Sequence, residues 1–187
     1  MSKASHSLHQ GWVKILLVWS VNLSLWFLPF RPPNVEPLLA SVIPVGKNYG
    51  FFAGLLFCFF SILFHDAITA SVGVWTWIVG VIYALLGAGT VLLARFKNRY
   101  VANAIYALVA TLIFDAITGL AMGPIFFGQP FMEALVGQIP FTINHVIGNV
   151  ILAVALSPVL ESLIIKNPKL ESDVLLGSVM KLFRRRR

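Results

Sequence analysis

Charge is what this sequence has least of. Asp, Glu, Lys and Arg make up 11% of its 187 residues, against about 25% in a soluble globular domain. Acidic residues number seven, and there is one cysteine, Cys58. A lone cysteine excludes an internal disulfide and says little about redox compartment. No GxxxxGK[ST] or GxGxxG stretch occurs, so no nucleotide site is visible. HExxH, a Cys/His ligand cluster and a GxSxG elbow are also missing. No cofactor and no metal are implied. What is present is apolar: 58% hydrophobic residues, fifteen Phe and five Trp, with a mean hydropathy of +0.86. The natural solvent for such a chain is lipid.

The net charge of +7 does not point to nucleic acid. The basic residues lie between apolar runs and at the C-terminal end, which is the pattern of membrane topology. Apolar runs predict spans at Trp12–Phe30, Tyr49–Thr69, Val74–Ala94, Tyr100–Met122 and Phe141–Ile165. The first has no small-x-small cleavage site after it; "LPFRPP" follows instead, so it is expected to be an uncleaved span rather than a signal peptide. The stretch 123–140, with its Gly, Pro and Gln, reads as a loop with at most a short helix. Residues 33–46 hold about ten apolar positions before Lys47, short for a crossing at 1.5 Å per residue, and pattern leaves their crossing open.

Arg95, Lys97 and Arg99 in "RFKNR", together with the basic tail, are expected to be cytoplasmic. With six spans both termini are inside and only Arg31 of the fourteen basic residues is outside. The expected organisation is a cytoplasmic segment 1–11, a membrane domain 12–165 and a basic tail 166–187. "DVLLGSVMKLFRRRR" has apolar residues at helical intervals and suits the cytoplasmic lipid surface or a protein partner.

The phrase Asp-Ala-Ile-Thr occurs twice, in "LFHDAIT" and "IFDAIT", each where an apolar run ends. Both runs go from inside to outside, so Asp66 and Asp115 are expected at equal depth near the outer face. Ionisable groups in spans are costly and usually face a bundle interior or wet cavity. Glu36, His65, Asp66, Thr69, Asp115, Thr118, Glu133, Gln138, Asn144, His145 and Asn149 all fall toward that face. The inner half looks almost free of polar groups, which predicts an outward pocket with an apolar floor. His145 and Asn149 are four apart and share a helix face. Trp75 and Trp77 are two apart, so at most one lines a pocket; the other suits an interfacial belt. His65 and Asp66 are adjacent, about 100° apart on a helix, which weakens them as a catalytic dyad. Ser20 and Ser24, four apart, mark a small-residue contact face, as do Ala84 and "GAG" at 87–89.

These residues leave three classes open: a solute-binding subunit, an intramembrane hydrolase or transferase using His145 or His65 with a carboxylate, and a scaffold whose polar residues only join helices. "PNVEP" after the first span, "GKNYGFFAGLLF" opening the third, "FDAITG" ending the fifth and the last-helix stretch "GQIPFTINHVIGNVILAVALSPVL" resemble the substrate-binding S components of energy-coupling factor (ECF) transporters. The resemblance runs over roughly 12–165 and lies in order and spacing. It implies an all-α membrane protein of six helices with a short second helix, both termini cytoplasmic, in a prokaryotic cell membrane. It also implies a vitamin-like ligand near the outer face, a transmembrane coupling subunit and ATPase partners. By this resemblance Glu36, Asp66, Asp115, Asn144, His145 and Asn149 line the pocket and Trp75 stacks the ligand. Many S components dock through an Ala-rich face on the first helix, where this chain offers Ser20 and Ser24. "MSKASHSLHQ" lacks the Met-x-His start of the metal-transporting branch, so nickel or cobalt is not expected.

Overall fold

A computed structural model describes residues 8–177. Its regular structure is helical, with no strand among the described residues. In chain order the helices are α1 (Leu8–Trp26), α2 (Leu38–Tyr49), α3 (Phe51–Ile68), α4 (Val74–Gly89), α5 (Arg99–Asp115), α6 (Gly123–Phe127) and α7 (Phe131–Leu160). A 3₁₀ segment, Thr90–Arg95, prolongs α4, and π-helical segments prolong α5 (Ala116–Met122) and α7 (Glu161–Ile165). Lys3 and the arginine run 184–187 lie outside the described residues, as does most of the amphipathic tail, although 172–177 are helical.

Four of these helical stretches are long and apolar enough to cross a membrane: Phe51–Ile68, Val74–Arg95, Arg99–Phe127 and Phe131–Ile165. Their outward faces carry Phe52, Phe60, Leu85, Ile105 and Ile151, all exposed. An apolar shell of that kind is stable in lipid and not in water. The apolar stretch Gly11–Trp26 of α1 is shorter.

α2 is shorter still. Its 12 residues span about 18 Å, less than the ~30 Å hydrocarbon layer. The helix is enclosed by protein instead: every residue from Leu38 to Gly46 is buried. Leu38, Leu39 and Val42 pack with Val18 of α1, Phe57 of α3, Tyr83 of α4, Phe114 of α5 and Leu160 of α7. A helix ringed by others need not match the bilayer thickness. Pro44 within it has no N–H to give the carbonyl of Ala40. The Ser157 hydroxyl of α7 donates to that carbonyl at 2.6 Å. Thus the broken rung is repaired from a neighbouring helix, the usual remedy in apolar surroundings.

α3 and α4 run antiparallel and touch backbone to backbone. A Cβ on Gly54 would meet the Gly87 carbonyl, and one on Gly87 would meet the Gly54 backbone and the Cys58 sulfur. Ala84, Gly87 and Ala88 are therefore consumed inside the bundle.

The structure departs from two sequence expectations. The last long helix begins at Phe131 rather than Phe141, with Pro130 in extended backbone (φ −56°, ψ 132°) at its N-cap and Pro140 inside it. The Gly and Pro content of 123–140 signals a loop, but the apolar surroundings favour satisfying the backbone within a helix. Nor is the half of the bundle around Lys14, Lys47 and Glu161 free of polar groups. Glu161, buried, pairs with Lys47 at 3.0 Å and Lys166 at 2.9 Å. Lys14, also buried, donates to the Ile165 carbonyl at 3.0 Å and pairs with Glu171 at 3.4 Å. Long basic side chains turn inward because carboxylates and helix-end carbonyls wait there.

Candidate functional site

At the other end of the bundle lies a cavity of about 450 Å³. α1 contributes Trp26 at its last residue, and the 27–37 connection adds Arg31 and Glu36. α3 supplies Ile62, His65 and Asp66, and α4 supplies Trp75, Val79 and Tyr83. Phe114 of α5, Thr118 and Gly119 of the π-helical segment, and Gln138 and Phe141 of α7 complete the wall. Five aromatic rings thus share the space with three kinds of ionisable side chain: guanidinium, carboxyl and imidazole.

The polar groups are held by one another. The Tyr83 hydroxyl donates to Glu36 Oε2 at 2.7 Å, tying the loop to α4. Asp66 accepts from the Thr76 hydroxyl at 2.7 Å, and its other oxygen lies 3.0 Å from His65 Nδ1. Adjacent residues at the end of α3 can therefore meet, despite pointing about 100° apart, because both side chains bend toward the cavity rim. The His65 ring stacks on Trp26 (4.6 Å between centroids, 23°) and Phe27 (5.4 Å, 15°). Arg31 donates to the carbonyls of Trp26 and Val35, which folds the loop over this corner.

The π-helical segment sets the opposite wall. Thr118 returns its hydroxyl to the Phe114 carbonyl at 2.8 Å, as Thr69 does to His65 at 2.9 Å. The two Asp-Ala-Ile-Thr phrases share this local bond but end differently. After the first, α3 stops: Ala70 has φ 54° and the Ser71 amide donates to the Asp66 carbonyl at 2.9 Å. After the second, the chain continues as a wider helix to Met122. Wide turns of this type recur at functional sites; this one brings Gly119 against Gln138, where a Cβ would strike the amide.

Of the residues singled out in the sequence, Glu36, Asp66 and Trp75 share the cavity wall. Trp77 points away and packs near Phe59 at 6.2 Å. Asp115 and His145 do not line the cavity. They form a buried pair, Asp115 Oδ1 to His145 Nδ1 at 2.7 Å, screened by Phe114 and Phe141, whose rings meet the imidazole edge-on at 5.8 and 5.5 Å. Asn149 lies deeper and donates to the Thr111 hydroxyl at 2.9 Å. Asn144 is exposed on another side of α7, in a groove with Pro32, Pro33 and Val35. Ser20 and Ser24 are exposed on α1, and their hydroxyls donate to the carbonyls of Leu16 (2.9 Å) and Ser20 (2.8 Å).

His65, Thr118 and Gln138, named among the polar residues toward that face, also reach the cavity, and Arg31 and Tyr83 join them without having been named as pocket candidates. Helical spacing offers a partial signal for Tyr83, which is eight residues after Trp75 and so near the same face. No family model, curated protein or solved structure matches this chain.

Proposed function

We infer that the chain is the substrate-binding membrane subunit of an importer of the ECF type, capturing a small ring-bearing, vitamin-like nutrient. The observation that carries this reading is the cavity, open at one end of an apolar bundle and walled by aromatic rings and fixed polar groups. Pockets for small organic molecules have this composition, with a few placed polar groups giving orientation. Trp75 and Phe141 offer ring faces to a flat ligand, and Glu36 and Asp66 offer acceptors to its donors. A neutral or cationic ligand suits the two carboxyl groups, with Arg31 the one guanidinium or ammonium group in the lining.

In this reading α1 and α2 join the four long helices as six membrane crossings. The end bearing Lys14, Lys47 and "RFKNR" is cytoplasmic, and the cavity faces outward in a prokaryotic cell membrane. A transmembrane coupling subunit and ATPases complete the importer, with the exposed strip around Ser20 and Ser24 as the docking face. An enzymatic reading has less support. The two hydroxyls in the lining, Tyr83 and Thr118, are committed to Glu36 and to the Phe114 carbonyl, and neither is hydrogen-bonded to an imidazole base.

The test is mass spectrometry of small molecules retained by the purified protein, followed by binding titrations with a panel of ring-bearing nutrients. A retained nutrient with sub-micromolar affinity, lost in Glu36→Gln, is expected. A protein that retains none and binds none of the panel refutes the importer reading, and turnover of a bound compound replaces it with the enzymatic one.

A further inference from the structure

A second groove, of about 570 Å³, lies at the end of the bundle remote from the cavity, between the 3₁₀ segment Thr90–Arg95 and α5. Its wall is apolar along the length of α5: Val101, Ile105 and Val109 are four apart and form one exposed stripe. Eight residues of helix give that stripe about 12 Å of length. Arg95 and Lys97 stand in the same lining, with Asn98 at the α5 N-cap.

The charges at this mouth are unbalanced. Among the described residues no carboxylate lies within ion-pair distance of Arg95, Lys97 or Arg99. Among the described residues, Glu161 is engaged by Lys47 and Lys166, and Glu171 by Lys14. An apolar trough on a candidate membrane span, ending in two uncompensated cations, is complementary to one amphiphile: an anionic phospholipid with an acyl chain along α5 and its phosphate at Arg95 and Lys97. Basic pockets at helix ends on the cytoplasmic side hold such head groups. An intruding protein helix would need acidic residues at the same level and would be a different occupant.

We propose that the groove between Thr90–Arg95 and α5 is a specific site for an anionic phospholipid, with Arg95 and Lys97 binding the phosphodiester and the stripe Val101, Ile105 and Val109 seating one chain. The site is independent of the cavity and its ligand, and takes only the cytoplasmic placement of this end from the importer reading.

The test is native mass spectrometry of the full-length protein in detergent, titrated separately with synthetic phosphatidylglycerol and phosphatidylcholine. The wild type is expected to favour phosphatidylglycerol. Each juxtamembrane base contributes about 1 kcal/mol to anionic-lipid attraction, about five-fold in affinity, so Arg95→Gln with Lys97→Gln should weaken phosphatidylglycerol binding about 30-fold. Lys169→Gln, which removes one exposed charge outside the groove, should change it less than two-fold. Ile105→Trp, which fills the trough without altering charge, should also weaken it, and glycerol phosphate without acyl chains should fail to compete. All four positions are exposed, and unchanged circular dichroism will confirm that the variants fold. Equal binding of the two lipids by the wild type overturns the proposal. So does a double variant that binds like Lys169→Gln, or full competition by glycerol phosphate.

Discussion

His145 Nδ1 and Asp115 Oδ1 meet at 2.7 Å between α7 and α5, with 1% and 2% of their side chains exposed. Among the described residues, the second oxygen of Asp115 and Nε2 of His145 have no hydrogen-bond partner. Among them, each side chain is therefore the other's single side-chain partner, beneath the aromatic rings that floor the cavity. Leaving one buried polar group unmatched costs about 1–3 kcal/mol. His145→Ala and Asp115→Ala should each lower stability by that amount in thermal unfolding of the solubilised protein. The double replacement Asp115→Ala with His145→Ala should lose less than the two single losses combined. Additive losses would show that the two side chains are not coupled.

Trp75 and Trp77 should separate cleanly. Trp75 lines the cavity and Trp77 faces Phe59 on the outer surface. Trp75→Ala is expected to weaken ligand retention at least ten-fold, since a lost aromatic contact face is worth about 1 kcal/mol beyond its buried area. Trp77→Ala should leave retention within two-fold. Retention measured by mass spectrometry on both variants decides it, and equal effects would contradict the placement.

Glycines 87 and 119 predict opposite kinds of failure. An added methyl at Gly87 meets the Gly54 backbone and buried Cys58, neither of which has room to move. Gly87→Ala should cost about 1–3 kcal/mol or more through overpacking, seen as a lowered unfolding temperature. An added methyl at Gly119 meets the end of the flexible Gln138 side chain. Gly119→Ala should cost less than about 1 kcal/mol but swing Gln138 in the cavity wall, so binding should change while the unfolding temperature barely does.

Glu161 is expected to matter far more than Lys166. The carboxylate is 4% exposed, whereas Lys166 is 54% exposed and Lys47 16%. Glu161→Ala strands Lys47 in a low-dielectric site; breaking a buried pair costs about 3–5 kcal/mol. Lys166→Ala leaves the Lys47–Glu161 pair intact, and an exposed pair is worth about 0–1 kcal/mol. Thermal unfolding of the two variants side by side checks the asymmetry; equal losses would mean that burial does not set the energetics here.

Several features are legible in the sequence. The apolar runs mark α3, α4 and α5 with small errors at their ends, because a backbone in lipid must bond to itself and long apolar runs become helices. Three of the polar and aromatic positions named in the sequence, Glu36, Asp66 and Trp75, share a wall, while the remote end holds a polar cluster of its own around Glu161. The start of α7 was misread because Gly, Pro and Gln carry the same signal in a loop as in a helix whose neighbours supply the missing bonds. The inward turn of Lys14 was invisible, since its partners Ile165 and Glu171 are more than 150 residues away.

Composition and run length alone determined the solvent of this protein, its helical class and which residues are expensive to place in lipid. Those properties follow from hydropathy and from the geometry of a single helix. Only the tertiary structure decided which polar groups face a cavity and which are consumed as partners. Asp66 and Asp115 sit in the same phrase, yet one lines the wall and the other is buried against His145. A helix that is apolar nearly all round carries little record of its inward face. That face is chosen by packing: by where Gly54 meets Gly87, and by where α7 brings His145 to its carboxylate.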